Sequence, residues 1–275
     1  MEIKKVFIDT KFMTENSVST SDFSVVLPQS IQCPENCIFY VDEISIPNAW
    51  QSIEQNVNDR LYFRYVTGGM NFDNILTLDD GSYDGFAFAT ELKTKLNSIT
   101  PGFTAFNVTY DEKENNITVS IGSPITSFKF YTDKELKSSS SGWLGASYDK
   151  SNLKSINDVI RNYSASTYST STPFESGFLN FLNYDTIYLS SSNLGNFNTL
   201  HLNGHSNIIK KILVGSSYGT NIIERLSSPH DFTDCSRQQL NKLSFKLIDT
   251  HGNTIPLHNS HWSFSIIFSV QPNQD

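Results

Sequence analysis

The chain has 275 residues (31.0 kDa), a formal net charge of −8 and a pI of about 5.2, and only 17% of its residues are charged. This acidic balance argues against general binding to nucleic acid or to an anionic membrane, because both need a basic footprint. Three cysteines are too few for a disulfide scaffold. A chain rich in aromatic, serine and asparagine residues is typical of β-strands joined by polar loops.

Apolar residues are spread along the chain and are not gathered into long runs. No 18 consecutive apolar residues occur, so we expect no membrane-spanning segment. The lysines in the opening MEIKKVFIDT are not followed by an apolar run of signal-peptide length. We therefore expect a soluble protein that is made in a reducing compartment.

The first part of the chain predicts β-strands. Asp22–Leu27 and Cys37–Ile46 are apolar runs that each end at a proline, which suits a strand end because proline cannot donate to a ladder. In the second run, the alternation of apolar and polar residues slips by one position after Val41, as it does at a β-bulge.

The middle of the chain has a different pattern, which predicts a small α+β unit. Between Phe86 and Ile99 the apolar residues fall on one helical stripe, formed by Phe88, Ala89, Leu92, Leu96 and Ile99. Two strictly alternating runs then predict a hairpin. The strands predicted in this part are Leu61–Val66, a short one starting at Leu76, the hairpin strands Phe106–Tyr110 and Ile117–Ile121, and Phe128–Tyr131.

The last part of the chain returns to β-strands. In Trp262–Val270, large apolar residues alternate with residues that are mostly serine, so one face of this strand is expected to pack on a core. The other strands predicted here are Ile187–Leu189, Asn207–Val214, Leu243–Asp249 and Thr254–Leu257.

Together these segments predict an all-β protein with an inserted small α+β domain. Residues 1–58 plus 151–275 carry about eight strands, which suits a single jelly roll, a Greek-key β-sandwich. Residues 59–150 form the insertion, with a strand, a helix and a hairpin in that order.

The cysteines are the first candidates for a metal site. Cys33 and Cys37 have the spacing of some zinc half-sites, but the only other cysteine is Cys235 and no histidine lies nearby in the sequence. We therefore predict thiols in a connecting segment and no metal.

The other candidate residues do not form a metal site, a phosphate-binding loop or a catalytic motif either. The pairs His201/His205 and His258/His261 lie in turn-rich sequence without a third ligand. The doublet Lys210-Lys211 is interpreted as an edge-strand guard, that is, as charged side chains that prevent an edge strand from pairing with another chain. Phosphate-binding glycine loops and the G-x-S-x-G nucleophile motif are absent from the sequence. We therefore predict no catalytic residue, no cofactor and no enzyme activity.

A set of short sequence motifs is spread along nearly the whole chain. They are Phe7–Phe12, Ser21–Pro28, Val41–Pro47 with Trp50, Leu78–Tyr83, Phe130–Leu136, Ile187–Ser190, Asn207–Ile212, Phe245–Ile255 and Trp262–Phe268. In this order they resemble the minor capsid (penton) proteins of Polinton/Maverick elements and virophages, and the resemblance rests on the order of the motifs.

The resemblance implies a structural role in the virion. It implies a single jelly roll that forms homopentamers at the five-fold vertices of an icosahedral capsid, beside a double-jelly-roll major capsid protein. The protein would be made and assembled inside the host cell. The insertion would project outward as a turret or as an attachment surface, for example for a host receptor. No specific nucleic acid and no membrane insertion are implied, and the residues of the pentamer interface stay unknown.

Two other functions are compatible with the composition. A receptor-binding or attachment β-sandwich would use similar strands and loops, and would form a stable trimer or bind a glycan. A polysaccharide-active enzyme would need a carboxylate pair in a cleft lined by aromatic residues. The chain has only three tryptophans, the residue that sugar platforms favour, so the enzyme ranks last.

Overall fold

The computed structural model describes residues 3–99, 102, 104–138, 154–194, 201, 204, 207–225 and 231–270. The chain forms two compact units, one made of Met1–Trp50 with Tyr184–Asp275 and the other of Gln51–Asn183. We call them the jelly-roll unit and the inserted unit. These bounds differ from the predicted insertion, 59–150. The difference is largest at the second boundary, because apolar residues after 150 are buried in the core of the inserted unit, among them Ile156, Ile160 and Phe174.

The strands and helices are numbered in chain order. The strands are β1 Lys4–Asp9, β2 Asp22–Gln32, β3 Cys37–Pro47, β4 Arg60–Thr67, β5 Met70–Thr77, β6 Phe106–Asp111, β7 Asn116–Ile121, β8 Ile125–Phe130, β9 Tyr168–Ser169, β10 Phe174–Glu175, β11 Thr186–Ser191, β12 Ile208–Leu213, β13 Asn221–Arg225, β14 Thr233–Asp234, β15 Gln239–Ile248 and β16 Ser263–Val270. The helices are α1 Gly85–Ile99, α2 Asp133–Ser138 and α3 Asn157–Ile160, with a 3₁₀ turn at Thr10–Phe12.

The jelly-roll unit contains two antiparallel sheets. One has the order β1-β16-β3-β13, with the short β14 also paired to β3, and the other has the order β12-β11-β15-β2. Counting the eight longer strands of this unit along the chain, the first sheet is 1-8-3-6 and the second is 5-4-7-2. This order is that of a jelly roll with two Greek keys. The predicted fold class is therefore confirmed.

Aromatic rings from both sheets form the core of the jelly-roll unit. Phe245 of β15 and Phe264 of β16 meet edge to face, with ring centroids 4.8 Å apart. Phe23 of β2 contacts Trp262 in the same way at 5.6 Å, and the indole N–H of Trp262 donates to the carbonyl of Thr20 at 2.7 Å. Such ring pairs stabilise the fold beyond the effect of the apolar area that each ring buries. The alternation predicted for the last strand holds from Trp262 to Phe268, where every second residue is buried, but not at Val270, which is exposed.

A β-bulge lies in the middle of β3. Its pairing with β16 passes from Glu43 opposite Ser265 to Val41 opposite Ile266, so Asp42 is an extra residue. The bulge explains why the apolar alternation of the sequence slips after Val41. It also turns the carboxylate of Asp42 toward β1, where it accepts from Lys5 Nζ at 2.6 Å.

The inserted unit packs helix α1 on two sheets of its own, with orders β5-β4-β8-β9 and β10-β7-β6. The helix begins after Asp84, whose carboxylate accepts from the backbone N–H of Ala87 at 2.7 Å and so caps a free donor. The predicted stripe is confirmed, since its residues Phe88, Ala89, Leu92 and Leu96 are buried in the core of this unit.

Several elements differ from the sequence predictions. Strands β1 and β13 were not expected from the pattern. The short strand predicted to start at Leu76 lies earlier in the chain, because strand β5 covers Met70–Thr77. The segment 254–257 is not a strand and makes only one bridge, between Thr254 and Ile248.

Candidate functional site

Strands β1 and β2 are edge strands of the two sheets of the jelly-roll unit, and they lie side by side. A groove of about 470 Å³ runs between them. Large apolar side chains lie at this groove, with exposed fractions of 78% for Phe7, 79% for Phe12 and 65% for Val26. We call this surface the β1–β2 side. Large apolar residues that are exposed together mark an interaction surface more often than apolar residues that are exposed singly.

The local structure explains why these side chains point outward. In β1, Ile8 is buried, so its neighbour Phe7 faces away from the core and lies under Lys5 Nζ at 5.3 Å. In β2, four residues, Leu27–Ser30, oppose only Asn241 of β15. Pro28 lies in this interruption and has no N–H to give to the ladder. Val26, directly before the interruption, is largely exposed because its neighbour Val25 takes the buried face of the strand.

Strands β12 and β13 form the opposite edges of the same two sheets. They also lie side by side, because Lys210 of β12 makes an ion pair with Glu224 of β13 at 3.7 Å. Leu213 and Ile223 are each 63% exposed here. We call this surface the β12–β13 side. Each copy of the jelly-roll unit thus has exposed large apolar residues at both ends of its sheets.

Lys210 corrects part of the sequence interpretation. Strand β12 is an edge strand, and Lys211 is exposed, as a guard would be. The Lys210 side chain is only 4% exposed and makes ion pairs with both Asp231 and Glu224. It therefore does not guard the edge but joins the two sheets, because a buried ammonium group needs paired charges around it.

The three cysteines come together in the jelly-roll unit. Cys33 lies in the connection from β2 to β3, as predicted, whereas Cys37 is the first residue of β3. Strand β14 pairs with β3 so that Cys235 lies beside them. The three Sγ atoms all lie within 4.8 Å of one another, and all three residues are buried. Burial raises the pKa of the Cys33 thiol to about 11, where Cys37 adds to the rise and the hydrogen bond with Cys235 opposes it. Burial also raises the pKa of the Cys235 thiol, and both neighbouring thiols add to that rise.

The three described histidines of the two pairs, His201, His258 and His261, form no comparable group. Among the residues that the structure describes, the cysteine cluster is the only set of three or more potential metal ligands. His261 contacts the hydroxyl of Thr10 at 3.0 Å, and His201 packs against Tyr188 with ring centroids 4.9 Å apart. His205 lies outside the described residues. None of the helices in the described part of the chain is long and apolar enough to cross a membrane.

Comparison with known proteins finds the same fold in a solved structure. No protein-family model matches the chain, and no curated protein matches it. The crystal structure of the selenomethionine-labelled mavirus penton protein is similar to it, with a TM-score of 0.56 and 10% sequence identity. The match covers 98% of this chain and 99% of that one. At this identity the likeness shows the fold alone, and it confirms the fold that the family resemblance implied.

Proposed function

We propose that the protein is a penton, a minor capsid protein that forms a homopentamer at the five-fold vertices of an icosahedral virion. The observation that supports this most is the fold, which is similar over 98% of the chain to that of a penton protein. The role is structural and needs no reacting group. In this proposal the rim of the ring packs against double-jelly-roll major capsid proteins, as the family resemblance implies.

The two apolar sides fit the geometry of a closed ring. In a cyclic assembly with more than two copies, each subunit uses two different surfaces, one toward each neighbour. We propose that the β1–β2 side of one copy meets the β12–β13 side of the next. Phe7 and Val26 on the first side and Leu213 and Ile223 on the second then become buried at five equivalent interfaces.

The mass of the purified protein tests this proposal directly. Light scattering coupled to gel filtration should give about 155 kDa, five times the chain mass of 31.0 kDa. A mass of about 93 kDa, three times 31.0 kDa, would contradict the pentamer and favour a trimeric attachment protein. A monomer at all concentrations, also in the presence of the major capsid protein, would contradict the proposal as well.

Single substitutions test where the ring closes. Phe7→Asp and Ile223→Asp should each lower the pentamer's stability by about 2 kcal/mol or more at every interface, which is the scale of a central interface residue. Both variants should therefore elute as monomers. Phe178 is 67% exposed and belongs to the inserted unit. The matched control Phe178→Asp should stay pentameric. If Phe178→Asp alone dissociates the ring, the assigned surfaces are wrong.

We further propose that the inserted unit supplies an attachment surface outside the shell. Replacing Gln51–Asn183 by a short linker should leave pentamers and particles intact and abolish attachment to the host cell. Unchanged attachment of particles that carry the shortened protein would contradict this part of the proposal.

A further inference from the structure

The cysteine cluster has a property that the capsid role does not use. All cysteines of the chain, Cys33, Cys37 and Cys235, converge on one buried point although Cys235 lies 198 residues after Cys37. A single buried cysteine behaves as a small apolar residue and indicates nothing by itself. Three sulfur atoms within 4.8 Å of one another are instead the start of a ligand shell.

The spacing of the sulfur atoms fits a bound metal ion. Tetrahedral Zn²⁺ with Zn–S bonds of about 2.3 Å holds its sulfur ligands about 3.8 Å apart. The sulfur atoms of Cys37 and Cys235 are 3.4 Å apart, and Cys33 Sγ is within 4.8 Å of both. Shifts of less than about 1 Å would therefore bring all three sulfurs to bonding distance. A disulfide would require one pair to approach to about 2.05 Å.

The backbone around the cluster is already fixed. The N–H of Cys235 donates to the carbonyl of Cys37 at 2.9 Å, and the N–H of Cys33 donates to the carbonyl of Gln238 at 2.8 Å. These bonds hold the β2–β3 connection against the segment between β14 and β15. The ligands are thus positioned by the fold before any ion arrives.

We propose that Cys33, Cys37 and Cys235 form a three-cysteine binding site for Zn²⁺. Binding forms three Zn–S bonds and releases the three S–H protons to solvent, which leaves a net charge of −1. A monovalent soft ion such as Cu⁺ would leave −2, and a larger buried net charge is costlier. A water or a main-chain oxygen completes the tetrahedron, and the carbonyl of Cys37 lies 3.5 Å from Cys235 Sγ.

Metal content and metal-dependent stability test this site in the full-length protein. Protein purified without chelators should contain one zinc per chain, and the metal-free protein should take up one Co²⁺ with the near-ultraviolet thiolate-to-cobalt charge-transfer band. Adding Zn²⁺ should raise the melting temperature, because an ion that binds only the folded state stabilises it. Cys33→Ser and Cys235→Ser should abolish the cobalt band and the rise in melting temperature.

A matched variant separates the loss of the metal from the loss of packing. Val41 is buried in the same strand as Cys37 and offers no metal ligand. Val41→Ala should melt at a lower temperature and still show the full rise with Zn²⁺. Three titratable thiols without any metal-dependent shift would overturn the proposal. So would a Cys37–Cys235 disulfide in the native protein, or one equivalent of Cu⁺ bound with no affinity for Zn²⁺. None of these results depends on whether the protein forms pentamers.

Discussion

The ion pairs of Lys210 predict which loss lowers the free energy of unfolding more, that of the buried ammonium group or that of its carboxylate partners. The Lys210 side chain is 4% exposed, whereas its partners Glu224 and Asp231 are 25% and 38% exposed. Lys210→Met replaces the ammonium group by an apolar chain of similar length and leaves two carboxylates that water can reach. The double variant Glu224→Gln with Asp231→Asn instead leaves a buried ammonium group without a counter-charge.

The burial of each partner sets the expected magnitudes. Partly exposed carboxylates regain water, so Lys210→Met should cost about 1–2 kcal/mol in the free energy of unfolding. An uncompensated buried charge costs about 3–5 kcal/mol, so the double variant should be the more damaging of the two. Lys246 pairs with Asp22 at 3.5 Å with both side chains well exposed, 40% and 37%. The control Lys246→Met should therefore change the stability by less than about 0.5 kcal/mol.

Guanidinium denaturation followed by tryptophan fluorescence measures these differences, since Trp50 and Trp262 are both buried in the jelly-roll unit. All variants are compared at one protein concentration, because association shifts apparent stability. A larger loss for Lys210→Met than for the double variant would refute the argument that burial of the ammonium group dominates. Equal and small losses in both would show that water reaches the cluster.

Two more predictions concern the inserted unit. A Cβ on Gly85 would lie 2.2 Å from the ring of Tyr110, so Gly85→Ala should destabilise this unit by about 1–3 kcal/mol in thermal or denaturant unfolding, while the exposed Thr90→Ala on the same helix should be nearly neutral. Burial alone would raise the pKa of Glu135, but its bonds to Lys129 and Thr132 outweigh burial and lower it. The stability that these bonds supply is fully present above the pKa of an ordinary glutamate, and it is lost as the pH falls through the lowered pKa of Glu135 in the folded protein. Glu135→Gln should therefore cost up to about 1 kcal/mol at pH 7 and less at acidic pH; a cost that grows on acidification would contradict the sign.

Local patterns predicted those parts of the fold in which one face of an element is buried. The helix α1, the hairpin of β6 and β7 and the strand β16 each have a regular period that separates buried from exposed residues. The slip in β3 was visible for the same reason, because a bulge changes which residues face the core.

Two of the four edge strands of the jelly-roll unit, β1 and β13, were harder to predict. In β1 the largest apolar residue, Phe7, points away from the core, and in β13 the adjacent Ile222 and Ile223 face opposite ways. Such strands lack the one-sided pattern that identifies a strand, and the apolar residues that break the pattern are those of the proposed interfaces. The cysteine cluster could not be predicted either, because the pairing of β14 with β3 that brings Cys235 to Cys37 is not visible in local sequence.

The residues that flank the inserted unit also determine how the jelly roll tolerates it. Trp50 and Tyr184 are the last and first residues of the jelly-roll unit on either side of the insertion, and their rings meet edge to face with centroids 5.5 Å apart. The two ends of the interrupted chain are thus held together by the jelly roll itself. Evolution can therefore exchange, shorten or enlarge the insert without redesigning the jelly-roll unit that carries it.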